Sequence, residues 1–148
     1  MRTLLRSTKM LLEGGADPNI KDKLNRTPLM VALEGIERNI NKEKVIPILL
    51  EWDANPNIQG LGGRTPLHEA TWINSTKIAK LLLDGGADPN IPSENGETPL
   101  HKAVTTKSRA EITKVLVNGG ANPNIKDSLG VSPIELAKKR IIMNILNK

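Results

Sequence analysis

Cysteine, phenylalanine and tyrosine are missing from all 148 residues, and tryptophan occurs only at positions 52 and 72. The lack of cysteine excludes a disulfide framework and thiolate metal sites. No apolar run approaches the ~18 residues that a membrane span needs. The opening MRTLLRSTKMLLEGG is broken by Arg6, Ser7 and Lys9 before the apolar block of a secretory signal can form. A cytoplasmic protein without a membrane partner is therefore expected. With 38% hydrophobic and 25% charged residues, the chain has the composition of a globular protein with a sizeable core.

A continuous basic stripe is also lacking. The formal charge is +5, yet residues 27–125 carry ten Lys/Arg against eleven Asp/Glu, and the excess sits at the two ends. A chain that follows a phosphate backbone gains affinity from each phosphate it neutralises. The separated distribution thus disfavours nucleic acid as a partner.

The chain does carry an internal rhythm. Thr27-Pro28-Leu29, Thr65-Pro66-Leu67, Thr98-Pro99-Leu100 and Ser132-Pro133-Ile134 follow one another at spacings of 38, 33 and 34 residues. A second marker, GADPN at 15–19, DANPN at 53–57, GADPN at 86–90 and GANPN at 120–124, keeps the same spacings. Two independent markers in step define a structural repeat.

Each unit has a physical reading. A Ser/Thr hydroxyl caps a helix whose first residue, proline, sacrifices no hydrogen bond. After a polar break a second helical pattern follows, as in TKIAKLLLD, where Ile78, Leu81 and Leu82 recur at i, i+3, i+4. Gly85-Gly86 ends it, and ADPNIPSENGET supplies turn formers. One unit is helix, turn, helix and hairpin loop.

NGETPLHKA and LLLDGGADPNI resemble the ankyrin repeat, with its period near 33 residues and its T-P-L-H signature. The resemblance runs from about Arg2 to the C-terminus. It implies an all-α solenoid of stacked helix-turn-helix units joined by β-hairpin loops. The repeats fall at 27–64, 65–97 and 98–131, with a partial unit over 1–26 and a closing unit over 132–148.

Departures from the pattern raise specific expectations. Five extra residues around IERNINKE should lengthen the first full repeat between its helices or extend its first helix. Pro47 within KVIPILLEW predicts an irregular helix, because an interior proline costs about 3 kcal/mol unless the helix starts late or bends. Asn25 and Asp53 stand where other units have glycine, and both residue types tolerate the left-handed region. Residues 2–13 match only the second helix of a unit; they either cap the stack or continue a longer one. SPIELAKKRIIMNILNK lacks the polar break and should form one helix or two tightly joined ones.

Candidate chemistry is sparse. His68 and His101, the only histidines, each lie in T-P-L-H. Units stacked roughly 10 Å apart cannot bring both to one zinc ion. A hydrogen bond to the threonine or loop of its own repeat is the expectation for each, and Met30 and Glu135 at equivalent positions fit a structural role. GLGG at 60–63 lacks the Lys-Ser/Thr of a phosphate loop, and KKR at 138–140 reads as a solvated face. No nucleophile and base are paired by any motif, so neither an enzyme nor a cofactor is expected.

The resemblance also places a binding surface. In ankyrin repeats the two positions after the small core residues, here Ala70 and Thr71, face the concave side, together with the hairpin residues before Thr-Pro. Those positions hold Trp72 and Ile73, and Thr105 in the next unit. The hairpins add Lys23, Leu24 and Arg26, then Leu61 and Arg64, then Glu94 and Glu97. Trp72 is the outlier: it either anchors a partner or folds back over the neighbouring unit. Trp52 is equally open between packing and exposure. The expected function is binding of an unidentified protein partner by a monomer. The alternative is a nucleic-acid-associated or self-associating module that uses the basic ends and the N-terminal leucines.

Overall fold

The computed structural model describes residues 2–34 and 43–146. Among these the chain forms α1 (Arg2–Glu13), α2 (Pro28–Leu33), α3 (Val45–Glu51), α4 (Pro66–Trp72), α5 (Thr76–Asp84), α6 (Pro99–Ala103), α7 (Ala110–Asn118) and α8 (Pro133–Leu146). The helices make two layers. The first helices of the units, α2, α4, α6 and α8, pack successively on one another, while the second helices, α1, α3, α5 and α7, form the other row. Each of α2, α4 and α6 also packs on the second helix of its own unit.

The start of each first helix follows from its sequence. Thr27 accepts the Met30 N–H, while Thr65 and Thr98 form reciprocal caps with His68 and His101. Proline opens all three helices, with its missing N–H among those that lack an intrahelical partner anyway. Leu29, Leu67 and Leu100 then point inward and are completely or almost completely buried. Three residues further on, Ala32, Ala70 and Ala103 are buried too, their small side chains permitting close approach between successive units. The second helices contribute Leu49, Leu82 and Leu116 to the same core. Full burial of each leucine contributes about 1.5–3 kcal/mol.

Second helices end in a left-handed residue. Gly15, Gly86 and Gly120 have φ between 86° and 89°, and Asp53 takes the same place at φ 59°. Asn25 stands in for a hairpin glycine at φ 61°. Both substitutions are accommodated, as their residue types allow. At Gly96 glycine is needed for space as well: a Cβ there would come 2.8 Å from the Ser128 nitrogen of the next loop.

Three details refine the reading of the sequence. The expected irregular helix around Pro47 is instead an ordinary helix that starts late: Lys44 is its N-cap, so Pro47 lies in the first turn, where no intrahelical N–H bond is lost. The closing segment is one helix, α8. The hairpin loops contain no strand among the described residues; each is a tight turn, closed for example by the Ser93 N–H donating to the Glu97 carbonyl at 2.8 Å. Apart from Glu43, the extra residues at 36–43 lie outside the described residues, as does their predicted effect on the turn.

Polar clips tie the units along one edge. The Asn57 side chain donates to the Gly86 carbonyl at 2.9 Å and accepts the Asp88 N–H at 2.7 Å. Asn90 does the same to Gly120 and Asn122, and Asn19 to Asp53 and Asn55. The asparagine of every Pro-Asn pair except Asn124 thus grips the turn that ends the following second helix.

Candidate partner-binding surface

The caps of the first helices also set the spacing of the hairpins. The Thr65 N–H donates to His68 Nδ1 at 3.1 Å, so Nε2 carries the proton and donates to the Glu97 carbonyl at 2.9 Å. His101 repeats the pattern with Thr98 at 2.9 Å and with the Val131 carbonyl at 3.1 Å. Both histidines therefore bond their own threonine, as expected, and reach forward to the residue just before the next cap. Glu135 takes the histidine's place at the last unit, where its carboxylate accepts both the N–H and the hydroxyl of Ser132. Those bonds hold its pKa below the ordinary carboxylate value.

Burial lowers the pKa of His68, a shift opposed by its bond to Glu97 and assisted by the nearby Arg64 and His101 charges. The folded chain therefore favours the neutral ring. Its contribution to stability is complete above the unfolded value near 6.5 and is lost as pH falls through the lower folded value. An NMR titration should place the His68 midpoint below 6.5, and His68→Gln should flatten the loss of stability between about pH 7 and pH 5. A midpoint above 6.5 would contradict the geometry.

The side chains expected on the binding surface stand at the ends of the first helices and along the hairpins. Trp72, the last residue of α4, is 52% exposed. It shares a small hollow with Thr98, Pro99 and Lys102 of the neighbouring unit. The Lys102 Nζ stands 3.8 Å from the centre of its ring and the Arg64 guanidinium carbon 5.4 Å away. Contacts of this kind contribute about 0.5–1 kcal/mol at exposed sites. From α7's approach, Arg109 donates to the Trp72 carbonyl at 3.0 Å and holds the end of α4. The indole is therefore an exposed aromatic platform with two cations drawn to it.

A hollow lies on either side. One of about 520 Å³ is bordered by Lys23, Leu24, Arg26, Leu61, Arg64 and Glu69. The other, about 720 Å³, is bordered by Trp72, Glu97, Lys102, Thr105, Leu129 and Lys139. Glu94 lies with Leu61, Arg64 and Glu97 along the hairpin tips between them.

The residues expected on this surface differ in their availability. Leu61 is 82% exposed, and Lys23, Arg64, Glu94, Glu97 and Thr105 are exposed as well. Arg26 is committed within the chain: it forms ion pairs with Asp22 and Glu34, each at 2.6 Å, which raise its pKa and lower that of Asp22. Ile73 is half-buried and packs against the core. The Thr105 hydroxyl donates to the Lys102 carbonyl at 2.8 Å. Sequence reasoning missed Lys102, Glu69 and Leu129. The first two lie four residues after the cap, at one register position that borders Trp72 in successive units. Trp52, the C-cap of α3, is 39% exposed and stands at the end of a second helix, away from these hollows.

No helix among the described residues is long and apolar enough to cross a membrane. No curated protein of similar sequence is found. The family described as "Ankyrin repeats (3 copies)" matches residues 3–93 and 38–127, which together span most of the chain. With its two stacked helical layers and its Thr-Pro caps, this chain belongs to the ankyrin-repeat family.

Proposed function

We propose that the chain is a non-enzymatic module that binds a protein partner along its inner surface, with Trp72 as the central anchor. Ankyrin repeats are generally protein–protein interaction modules. The observation that carries the more specific reading is the half-exposed indole, with two cations beside it and a hollow on each flank. Tryptophan and arginine are over-represented among residues that dominate binding energy. The scaffold favours the same use: its loops are bonded to one another, for example Glu94 N–H to the Gly62 carbonyl at 3.0 Å, so little conformational freedom remains to be lost on binding. The mixture of acidic, basic and apolar side chains suits a folded protein rather than a polyanion.

Pull-down with the intact chain, quantified by mass spectrometry, tests the surface. Trp72→Ala should weaken capture of specific partners by about 30-fold, the equivalent of a hot spot worth about 2 kcal/mol. Trp52→Ala should leave capture unchanged. If Trp72→Ala combined with Arg64→Ala retains every partner at full strength, the inner surface is not where they bind.

A further inference from the structure

The four hairpins share one frame at their base. The N–H of Asp22, Gly60, Ser93 and Asp127 donates to the carbonyl of Arg26, Arg64, Glu97 and Val131 respectively, at 2.8 or 2.9 Å. In two of them a carboxylate organises the tip. Asp22 Oδ1 accepts the N–H of Leu24 and of Arg26 at 2.9 and 3.0 Å, and Asp127 Oδ1 accepts those of Leu129 and Val131, both at 2.9 Å. In the first hairpin the other oxygen of Asp22 also takes two bonds from the Arg26 guanidinium, at 2.9 and 2.6 Å.

The second hairpin has the arginine without the carboxylate. Arg64 stands in the place of Arg26, and Gly60 in that of Asp22. Among the described residues the only carboxylate within ion-pair distance of Arg64 is Glu69, at 3.9 Å, a long and exposed contact that contributes little. The Gly62 N–H, counterpart of those at Leu24 and Leu129, has no acceptor among the described residues. The tip is turned differently as well, with Gly62 and Gly63 both left-handed at φ 68° and 69°. A side chain at position 60 is obstructed, because a Cβ there would come 2.7 Å from the Met30 sulfur.

Gly60 and Arg64 both border the hollow of about 520 Å³ between the first and second hairpins, where Leu24 and Leu61 are 61% and 82% exposed. The gap follows from the links this junction lacks. Met30 stands where His68 and His101 bond forward to the next hairpin, and no bond joins Leu24 to Leu61 as Gly62 is joined to Glu94 and Asn95 to Ser128. Of the charges around it, Asp22 and Glu34 are held by Arg26. Lys23 and Arg64 therefore face one carboxylate that no close pair engages, Glu69. Glu94 and Glu97 border the neighbouring depression instead.

We propose that this hollow receives a segment of the protein partner in which an aspartate or glutamate adjoins a large aliphatic side chain. The carboxylate pairs with Arg64, as Asp22 does with Arg26, through the two parallel bonds that a guanidinium offers. The aliphatic group lies between Leu24 and Leu61, removing apolar surface from water on both sides. The proposal rests on the reading of the inner surface as the partner-binding face, and it names the chemistry of one contact there.

NMR titration of the intact chain, labelled at methionine methyls and backbone amides, tests it. The probe is a short capped peptide of serine and glycine with a central Asp-Leu pair. The Met30 methyl and the Gly62 amide should shift together, and an Asn-Leu peptide should bind about tenfold more weakly for want of the charged pair. Arg64→Gln should erase the difference between the two peptides, while Trp52→Ala should leave it unaltered. Added salt should weaken the Asp-Leu peptide and spare the other. Equal affinity of the two peptides overturns the proposal, as does a Met30 methyl that stays unmoved at about 5 mM peptide. Acetate or inorganic phosphate that moves the Gly62 amide as strongly as the Asp-Leu peptide also overturns it, leaving a simple anion site. Both signals report on this hollow alone, so their failure does not touch the anchor role of Trp72, which the pull-down tests separately.

Discussion

Leu82→Ala is expected to destabilise the fold by about 2–5 kcal/mol, the range for deleting a fully buried leucine side chain and leaving a cavity. Leu82 is 0% exposed and lies on α5, the second helix of the α4 unit, flanked by α3 and α7 in the middle of the stack, where no end of the chain can relax to fill the space. The same change at Leu11, in the same register but 65% exposed, should shift stability by no more than about 0.5 kcal/mol in dilute solution. Urea unfolding of both variants measures the difference through the midpoint. Equal losses at the two positions would mean that the units do not stack as described.

His101→Leu is expected to cost about 1–3 kcal/mol. The ring is 1% exposed, and its removal leaves the Thr98 N–H without a partner and the Val131 carbonyl with only the Asp127 N–H, at the junction of two units. A buried polar group that loses its hydrogen bond costs about 1–3 kcal/mol, and leucine's greater hydrophobicity returns part of the sum. The matching change at His68 should cost less, because that side chain is only part-buried and water can replace some of the lost bonds. Thermal unfolding of the two variants separates them. A smaller effect at position 101 than at 68 would overturn the assignment of these rings as links between successive caps.

Much of the fold was legible because its determinants are local. Thr-Pro starts, glycine stops and the leucine register are each decided within a few residues, and the helices begin and end where those signals stand. Pro47 was misread for the same reason: the start of α3 at Lys44 is marked by no Ser, Thr, Asp or Asn cap that a reader could recognise. The placement of Trp72 at the end of α4 followed from its register in the repeat, which left its exposure open. The engagement of Arg26 did not, since Asp22 and Glu34 reach it only after the loop and α2 have folded together. Lys102 was missed because its relation to Trp72 crosses from one unit to the next, at a separation of 30 residues along the chain. The asparagine clips were visible as Pro-Asn in every unit, but read singly they looked like turn formers.

Every one of those clips reaches only the adjacent unit, always from the earlier in sequence to the later. A rod joined in this way has a grain. Stretched from its ends it should yield segment by segment, in a series of modest steps rather than one large rupture. Cut between two units, it should leave unlike halves: the earlier one keeps a hand with nothing to hold, and the later one keeps a turn that nothing holds.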